Sequence, residues 1–307
     1  MSGRRGFSLA EVLVSIFVVA IVGGAICEGM RRQQQLFRSI AAILAVRGDV
    51  RDAAAVLAAD ISSASPLDTV LLATDSGVEL YTLIGAAVSC DSAPGNVIRV
   101  PPEELQSGNV LTSLLAVPDS ADVLLVFNAD TAATGGEPRW DRHSIASVSS
   151  QPASAACPAS TGFTTAADAG ATARVISLRA AASAGVRAGA PVRLLRRTRY
   201  SLYRASDSRW YLGSRRCNPI GASACGVIQP LSGPYQSYSA TAGQSGLSLR
   251  YFEASGAALA PLAGLDKVAR IELTSRARAR VPVSLGARHA GAYLDSAALS
   301  IALRNRD

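Results

Sequence analysis

The chain is poor in charge, in aromatic rings and, above all, in lysine and histidine. Charged residues make up 17% of its 307 residues and aromatics 5%; Lys267 is the only lysine, and His143 and His289 are the only histidines. With 49% hydrophobic residues, so little charge excludes disorder along the whole length, because the apolar surface suffices to repay the cost of ordering. A single apolar run approaches bilayer length, which excludes a polytopic membrane protein. There is no P-loop, GxGxxG turn, HExxH, EF-hand loop or GxSxG elbow, so no cofactor and no enzymatic activity is expected. Asp141, His143 and Ser144 are close in sequence, but adjacency is not triad geometry, and the stretch reads as a loop. Asp119 and Asp122 in one turn are expected to be solvated rather than to hold calcium.

The formal charge is +7, and nearly all of the positive charge is arginine. Arg193, Arg196, Arg197 and Arg199 form one group, and Arg276, Arg278 and Arg280 another. The second alternates with Ala277 and Ala279, so on a strand its three arginines share one face. Such a row could hold phosphates, which makes DNA a conceivable partner. No aromatic stacking platform accompanies either group, so a solvated sheet face or a charge-protected edge is the favoured reading, and DNA is not the favoured partner.

Five cysteines are present. Cys27 lies in the apolar run, where a buried inert thiol is expected. Cys90, Cys157, Cys217 and Cys225 lie in the polar region, where an extracytoplasmic location would permit two disulfides in three possible connectivities. Cys217 and Cys225 enclose a short turn-rich stretch and are the preferred pair, leaving Cys90 with Cys157. No CxxC occurs, and the spacings fit no zinc module.

The N-terminus places Arg4, Arg5 and Gly6 before an apolar stretch beginning at Phe7, with no charged residue from Val12 to Cys27. A helix from Phe7 to Met30 would be about 36 Å long, enough to span a bilayer. Glu11 is the anomaly, since a carboxylate in an apolar helix is costly without a partner. If the chain is cut after Gly6, the new amino group of Phe7 lies about one helical turn from Glu11.

Gly6-Phe7-Ser8-Leu9-Ala10-Glu11-Val12-Leu13 resembles the prepilin signature of type IV pilins and type II secretion pseudopilins. The resemblance implies that a prepilin peptidase cleaves after Gly6 and N-methylates Phe7. It also implies that Glu11 is the glutamate used in assembly. The implied partners are the peptidase, other major and minor pilin or pseudopilin subunits, an inner-membrane assembly platform and the lipid bilayer. Where many major pilins carry a helix-breaking proline, this chain has Glu28, and Gly23-Gly24 is the candidate weak point.

Beyond the membrane, Leu36, Ile40, Ile43, Leu44, Val50, Ala54, Leu57 and Ile61 recur at three- and four-residue steps, which predicts an amphipathic continuation of the helix. Ser62 to Pro66 supplies its stop, and Gly48 is a candidate bend. Short β-prone runs follow: Thr69 to Ala73, Val78 to Ile84, Val97 to Val100, Val110 to Val117, Asp122 to Phe127, Arg174 to Arg179, Val192 to Arg204, Arg209 to Gly213, Leu247 to Phe252, Val268 to Val281 and Ala297 to Leu303. Ser147 to Ala173 reads as a surface excursion pinned by Cys157. The expected fold class is α+β, a long N-terminal helix packed on an antiparallel β-sheet domain, pilin-like. The expected divisions are a leader at 1–6, a transmembrane or filament-core helix at 7–30, its amphipathic continuation at 31–63 and an extracytoplasmic β-rich domain at 64–307.

The C-terminal strands resemble those of PilW-like minor pilins and J-type minor pseudopilins, down to Arg304-Asn305. That likeness implies a minor subunit of a tip or initiation complex, held first in the inner membrane and then in a pilus or pseudopilus. The alternative is a filament-borne binding module, an adhesin or DNA-uptake pilin.

Overall fold

The computed structural model describes residues 9–64, 70–91, 95–129, 137–218, 225–241, 243–284 and 291–303. Its first element, α1, runs unbroken from Leu9 to Ser63, 55 residues and therefore about 82 Å. Gly23, Gly24 and Gly48 lie within it without interrupting the helix. It ends where serine hydroxyls turn back on the last carbonyls: Ser62 donates to the Ala59 carbonyl at 3.0 Å and Ser63 to the Asp60 carbonyl at 2.9 Å. Such local bonds compete with continuation of the helix.

Among the described residues, fourteen antiparallel strands follow, joined in one continuous sheet. They are β1 (Leu72–Ala73), β2 (Gly77–Val88), β3 (Val97–Val100), β4 (Thr112–Leu114), β5 (Val123–Asn128), β6 (Arg139–Pro152), β7 (Thr172–Leu178), β8 (Pro191–Arg204), β9 (Trp210–Arg216), β10 (Gln229–Tyr235), β11 (Leu247–Phe252), β12 (Ala258–Leu259), β13 (Arg270–Arg278) and β14 (Leu294–Ala302). A one-turn helix, α2 (Ala153–Ala156), sits between β6 and β7.

Strand β8 organises the fold. Along one edge it pairs with β2 over most of its length, from Val88↔Pro191 to Gly77↔Ser201. Along the other edge its first half pairs with β5 and its second half with β9. The sheet therefore divides around β8 into two lobes with separate cores. One lobe, β3 and β5 to β7 with the far end of β2, buries Ile98, Leu124, Ile145, Ile176 and Leu194. The other, β9 to β14, buries Leu212, Leu249, Tyr251, Ile271 and Leu273.

Only the second lobe receives α1. Val46, Val50, Ala53, Leu57 and Ile61 join its core, at steps of three and four that keep one helix face on the sheet. This corrects the expected stripe. Leu36, Ile40 and Leu44 are exposed, and Ser39 and Val46 take their place on the buried face. For Ile40 and Leu44 the reason is angular, since at about 100° per residue they step away from the line through Val50, Leu57 and Ile61; Leu36 lies close to that line but precedes the part of α1 that meets the domain.

Two expectations about strands also change. Ser147 to Pro152 is not an excursion but the end of β6, paired with β7 from Ser147↔Ser177 to Pro152↔Thr172. Arg139 to Ser144, read as a loop, is the start of the same strand, paired with β5. Val110 to Val117 shrinks to the three residues of β4, leaving Val110, Leu115 and Val117 exposed.

Candidate assembly interface

Two halves of α1 have different surroundings, and that difference defines the site. From Leu9 to Arg38 no side chain of the helix is buried against the domain. This half contains the chain's membrane-length window, with mean hydropathy 2.5 over 18 residues. Leu9 is 81% exposed, Phe17 67% and Val19 70%, an apolar surface that a single chain in water cannot sustain. Cys27 lies on this surface, where the domain does not cover it.

Glu11 lies in the first turn of the described helix and faces outward. The positive end of the helix dipole favours a carboxylate there. Its own backbone carbonyl accepts the Ser15 hydroxyl at 2.8 Å. Gly6 and Phe7 lie outside the described residues. At the other end of the apolar half, Arg32 pairs with Glu28 one turn earlier at 2.9 Å, so the position of the usual proline carries an exposed ion pair instead.

The second half of α1 is fastened to the sheet by polar bonds that interrupt its apolar face. Tyr235 donates to the Asp49 carbonyl at 2.6 Å, Ser275 to the Val50 carbonyl at 2.9 Å, and the Ser284 amide to Ser39 Oγ at 3.0 Å. Tyr200 donates to the Asp60 carboxylate. Burial raises the Asp60 pKa above its ordinary 3.8, with the Tyr200 hydrogen bond pulling the other way. A carboxyl group whose pKa is raised on folding penalises the native state once it ionises, so this penalty is absent below pH 3.8 and grows as pH rises through the folded value. Asp60→Asn should therefore gain stability relative to the wild type between pH 4 and pH 7. Thermal unfolding of both proteins across that range checks it; a gap that narrows with pH would mean the Tyr200 bond outweighs burial.

Several charged residues pair with one another inside the domain. Buried Asp122 accepts from Arg196 Nε at 2.9 Å, Arg196 Nη2 at 2.8 Å and Arg216 Nη2 at 3.0 Å, and Asp119 pairs with Arg216. The Arg216 guanidinium lowers the Asp119 pKa. The expectation of two solvated carboxylates is thus wrong for this pair, because arginines from β8 and β9 converge on the turn. Buried Glu79 on β2 is held by Arg197 and Arg199 of β8. The first arginine group is accordingly a set of partners rather than a free row, and it does include an aromatic contact, Arg193 over Trp140 at 4.6 Å. Arg276, Arg278 and Arg280 keep to one face of β13 and its extension, half-buried or exposed, while Ala277 and Ala279 are buried.

Cys90 is bonded to Cys157, and Cys217 to Cys225. The first ties the loop after β2 to the end of α2, across the first lobe. The second joins two residues that also pair as an isolated antiparallel bridge after β9, beside Glu79. Glu79, Cys217 and Cys225 lie close enough to suggest a metal cluster, but the two sulfurs are bonded to each other and only one ligand remains.

Asp141 and His143 share a face of β6, and Ser144, next along the strand, points to the other. Asp141 accepts from Arg139 Nε and Asn128 Nδ2, both at 3.0 Å, and from Ser183. Burial lowers the His143 pKa, with Asp141 opposing. The three residues are not a nucleophile–base–acid relay.

Residues 1–26 match a family described as the prokaryotic N-terminal methylation motif. The match spans Arg4 and Arg5, the Gly6-Phe7 junction, Glu11 and the apolar part of α1 as far as Ile26. The chain thus joins a type IV prepilin-like N-terminal motif to a long helix packed on antiparallel sheet. No curated protein and no solved structure matches the chain.

Proposed function

We propose that this protein is a minor pilin or pseudopilin subunit, cut after Gly6, methylated at Phe7 and assembled into a type IV pilus or type II secretion pseudopilus, within a tip or initiation complex. The observation that carries the reading is the division of α1: its methylation-motif half is apolar and uncovered, and its second half is bonded into a folded domain. A helix built this way has one surface for lipid and then for neighbouring helices, and another that transmits their position to the domain. Glu11 is the group that meets a neighbouring methylated N-terminus as apolar helices bundle. The bilayer, the prepilin peptidase, an inner-membrane assembly platform and other subunits are the partners, and the domain lies outside the cytoplasm. The subtype rests on the C-terminal likeness to PilW-like pilins and J-type pseudopilins.

Intact mass and N-terminal peptide mapping of the membrane-bound protein, with and without the peptidase, test the class. The expected result is a chain starting at methylated Phe7 only when the peptidase is present. Retention of Met1 to Gly6 in both samples would make it an ordinary signal anchor. Deleting the gene then separates an initiator, whose loss abolishes filaments, from a binding module, whose loss leaves bare filaments.

Gly23 and Gly24 have open space where a Cβ would go, so alanine fits both sites and each substitution favours the helix by about 1 kcal/mol. Replacing both should impair filament incorporation while leaving leader cleavage intact, as read by sheared-filament yield against processed membrane pool. Normal yield would show that the helix does not loosen there.

A further inference from the structure

Strand β14 closes one side of the sheet. It pairs with β13 over all nine of its residues, from Arg270↔Ala302 to Arg278↔Leu294, without a shift in register. No strand pairs with its outer edge among the described residues. The other strands with a single neighbour, β1, β3, β4 and β12, are only two to four residues long. Bonds just beyond the two ends of the β13–β14 ladder fix the direction of each backbone group. The Ala279 amide donates to the Tyr293 carbonyl at 2.9 Å and the Leu303 amide to the Ala269 carbonyl at 2.8 Å, so the odd-numbered residues of β14 bond to β13. The N–H and C=O groups of Leu294, Ser296, Ala298, Ser300 and Ala302 therefore point outward. Among the described residues only the Ser296 amide of this set has a partner, the Asp295 carboxylate at 2.9 Å. All five residues are exposed, and Leu299, on the side that faces α1, is 37% exposed, so the helix does not roof this edge. Proteins blunt long free edges with proline, lysine, a bulge or charge. β14 has only Asp295, whose side chain turns to Arg47 of α1 at 3.4 Å.

Geometry excludes a second copy of this strand as the occupant. A second β14 adding in the antiparallel sense would relate the two chains by a two-fold axis perpendicular to the sheet. Because α1 lies against a face of that sheet, the axis would reverse it, and the two apolar halves could not enter one bilayer. Charge points the same way. On the face away from α1, Glu272 pairs with Arg250 and Arg270. Arg276 and Arg278 stand opposite Ser296 and Leu294 and line a polar groove with them. Neither arginine forms an ion pair with a carboxylate within 4 Å among the described residues. Asp295 also lines that groove, but its carboxylate is held by Arg47, the Tyr293 hydroxyl and the Ser296 amide. It is the one carboxylate of β14, so a second β14 has none to spare. On the α1 side, Arg278 and Arg280 line a separate groove with Arg38, where Asp49 supplies a carboxylate.

We infer that the outer edge of β14 takes up, by strand addition, an edge strand of a different filament subunit, one that carries acidic side chains opposite the Ser296 end. The inference rests on the assembled-subunit reading above and extends it from the helix to the domain. Main-chain bonds to Ala298, Ser300 and Ala302 supply the affinity, as in other strand additions. Carboxylates supply the choice of partner. An added strand lies about 10 Å from β13, and the short side chain of Ser296 leaves Arg276 open to a glutamate reaching across β14.

Residue-resolved hydrogen exchange tests this, comparing the full-length protein in detergent with the same protein in sheared filaments. In detergent, the amides of Ala297, Leu299 and Ile301 should be protected and those of Ala298, Ser300 and Ala302 should exchange freely. In filaments the second set should slow by about ten-fold or more. An Ala298→Pro variant removes one outward N–H and no ladder bond. It should unfold at the wild-type temperature and yet lose that slowing at Ser300 and Ala302. An Arg276→Gln, Arg278→Gln variant should lose most of the slowing too; full slowing in it would overturn the acidic partner. Slowing that appears in detergent as protein concentration rises would give the edge to a second copy and overturn the inference. Free exchange of Ala298, Ser300 and Ala302 in filaments that contain the processed protein would overturn the edge as an interface while leaving the filament reading intact. Absence of the processed protein from filaments would overturn that reading, and the inference with it.

Discussion

Glu79→Gln is expected to destabilise the domain by about 3–5 kcal/mol, as the loss of one partner from a buried ion pair does, with a fall in Tm of roughly 6–20 °C for a domain of this size. Glu79 is fully buried on β2, while Arg197 and Arg199 on β8 are mostly buried. Arg199 stands directly opposite Glu79 in the ladder, and Arg197 is two residues away on the same face. Removing the carboxylate leaves two guanidinium groups facing each other with no counter-charge. Arg197 retains one bond, to the Asn218 carbonyl at 3.0 Å, which does not neutralise it. The site also touches the Cys217–Cys225 bridge and lies on the two strands shared by both lobes, so the damage should reach the whole sheet. Thermal unfolding of the detergent-solubilised protein measures it. A double-mutant cycle with Arg199→Gln should return a coupling well above 1 kcal/mol; simple additivity would show that solvent already screens the pair.

Leu57→Ala is the second large effect, expected at about 2–5 kcal/mol. Leu57 is fully buried, flanked along α1 by Val50, Ala53 and Ile61, in the core that also holds Tyr200, Leu249 and Ile271. The cavity sits where the helix meets the sheet, so the loss should be local before it is global. Backbone amides of α1 between Val46 and Ile61 should exchange faster, while those of β5, β6 and β7, in the other core, stay protected. Uniform loss of protection would mean that the two lobes unfold as one unit. Because this contact carries the apolar half of α1, the variant should also weaken the link between helix position and domain position in a filament.

The candidate site was legible where its chemistry is local. The leader, the Gly6-Phe7 junction and Glu11 occupy consecutive residues, and the uncharged run from Val12 to Cys27 needs no partner to be recognised. Strands with strong alternation or β-branched character, such as Val97–Val100 and Leu247–Phe252, were equally plain. Two strands were hidden for opposite reasons. Along β6 only Ile145 is buried, so its polar residues carry no period; its place is set by β5 and β7 on either side. In β10, Pro230 and Pro234 remove ladder donors and the register with β9 shifts twice, which makes its sequence read as a turn.

By itself, then, the sequence determined the apolar N-terminal helix, the N-terminal methylation motif, the α+β class and the existence of four cysteines outside the apolar run. Each of these depends on composition or on residues within one or two turns of each other. Tertiary structure decided which face of α1 is covered, because that choice depends on where β13 and β14 place their apolar residues. It decided that the arginines of β8 serve Glu79 and Asp122, from strands more than 70 residues away in the chain. It also placed Arg38 beside Arg278 and Arg280, whose shared groove has no trace in any local pattern because its two walls come from opposite ends of the chain.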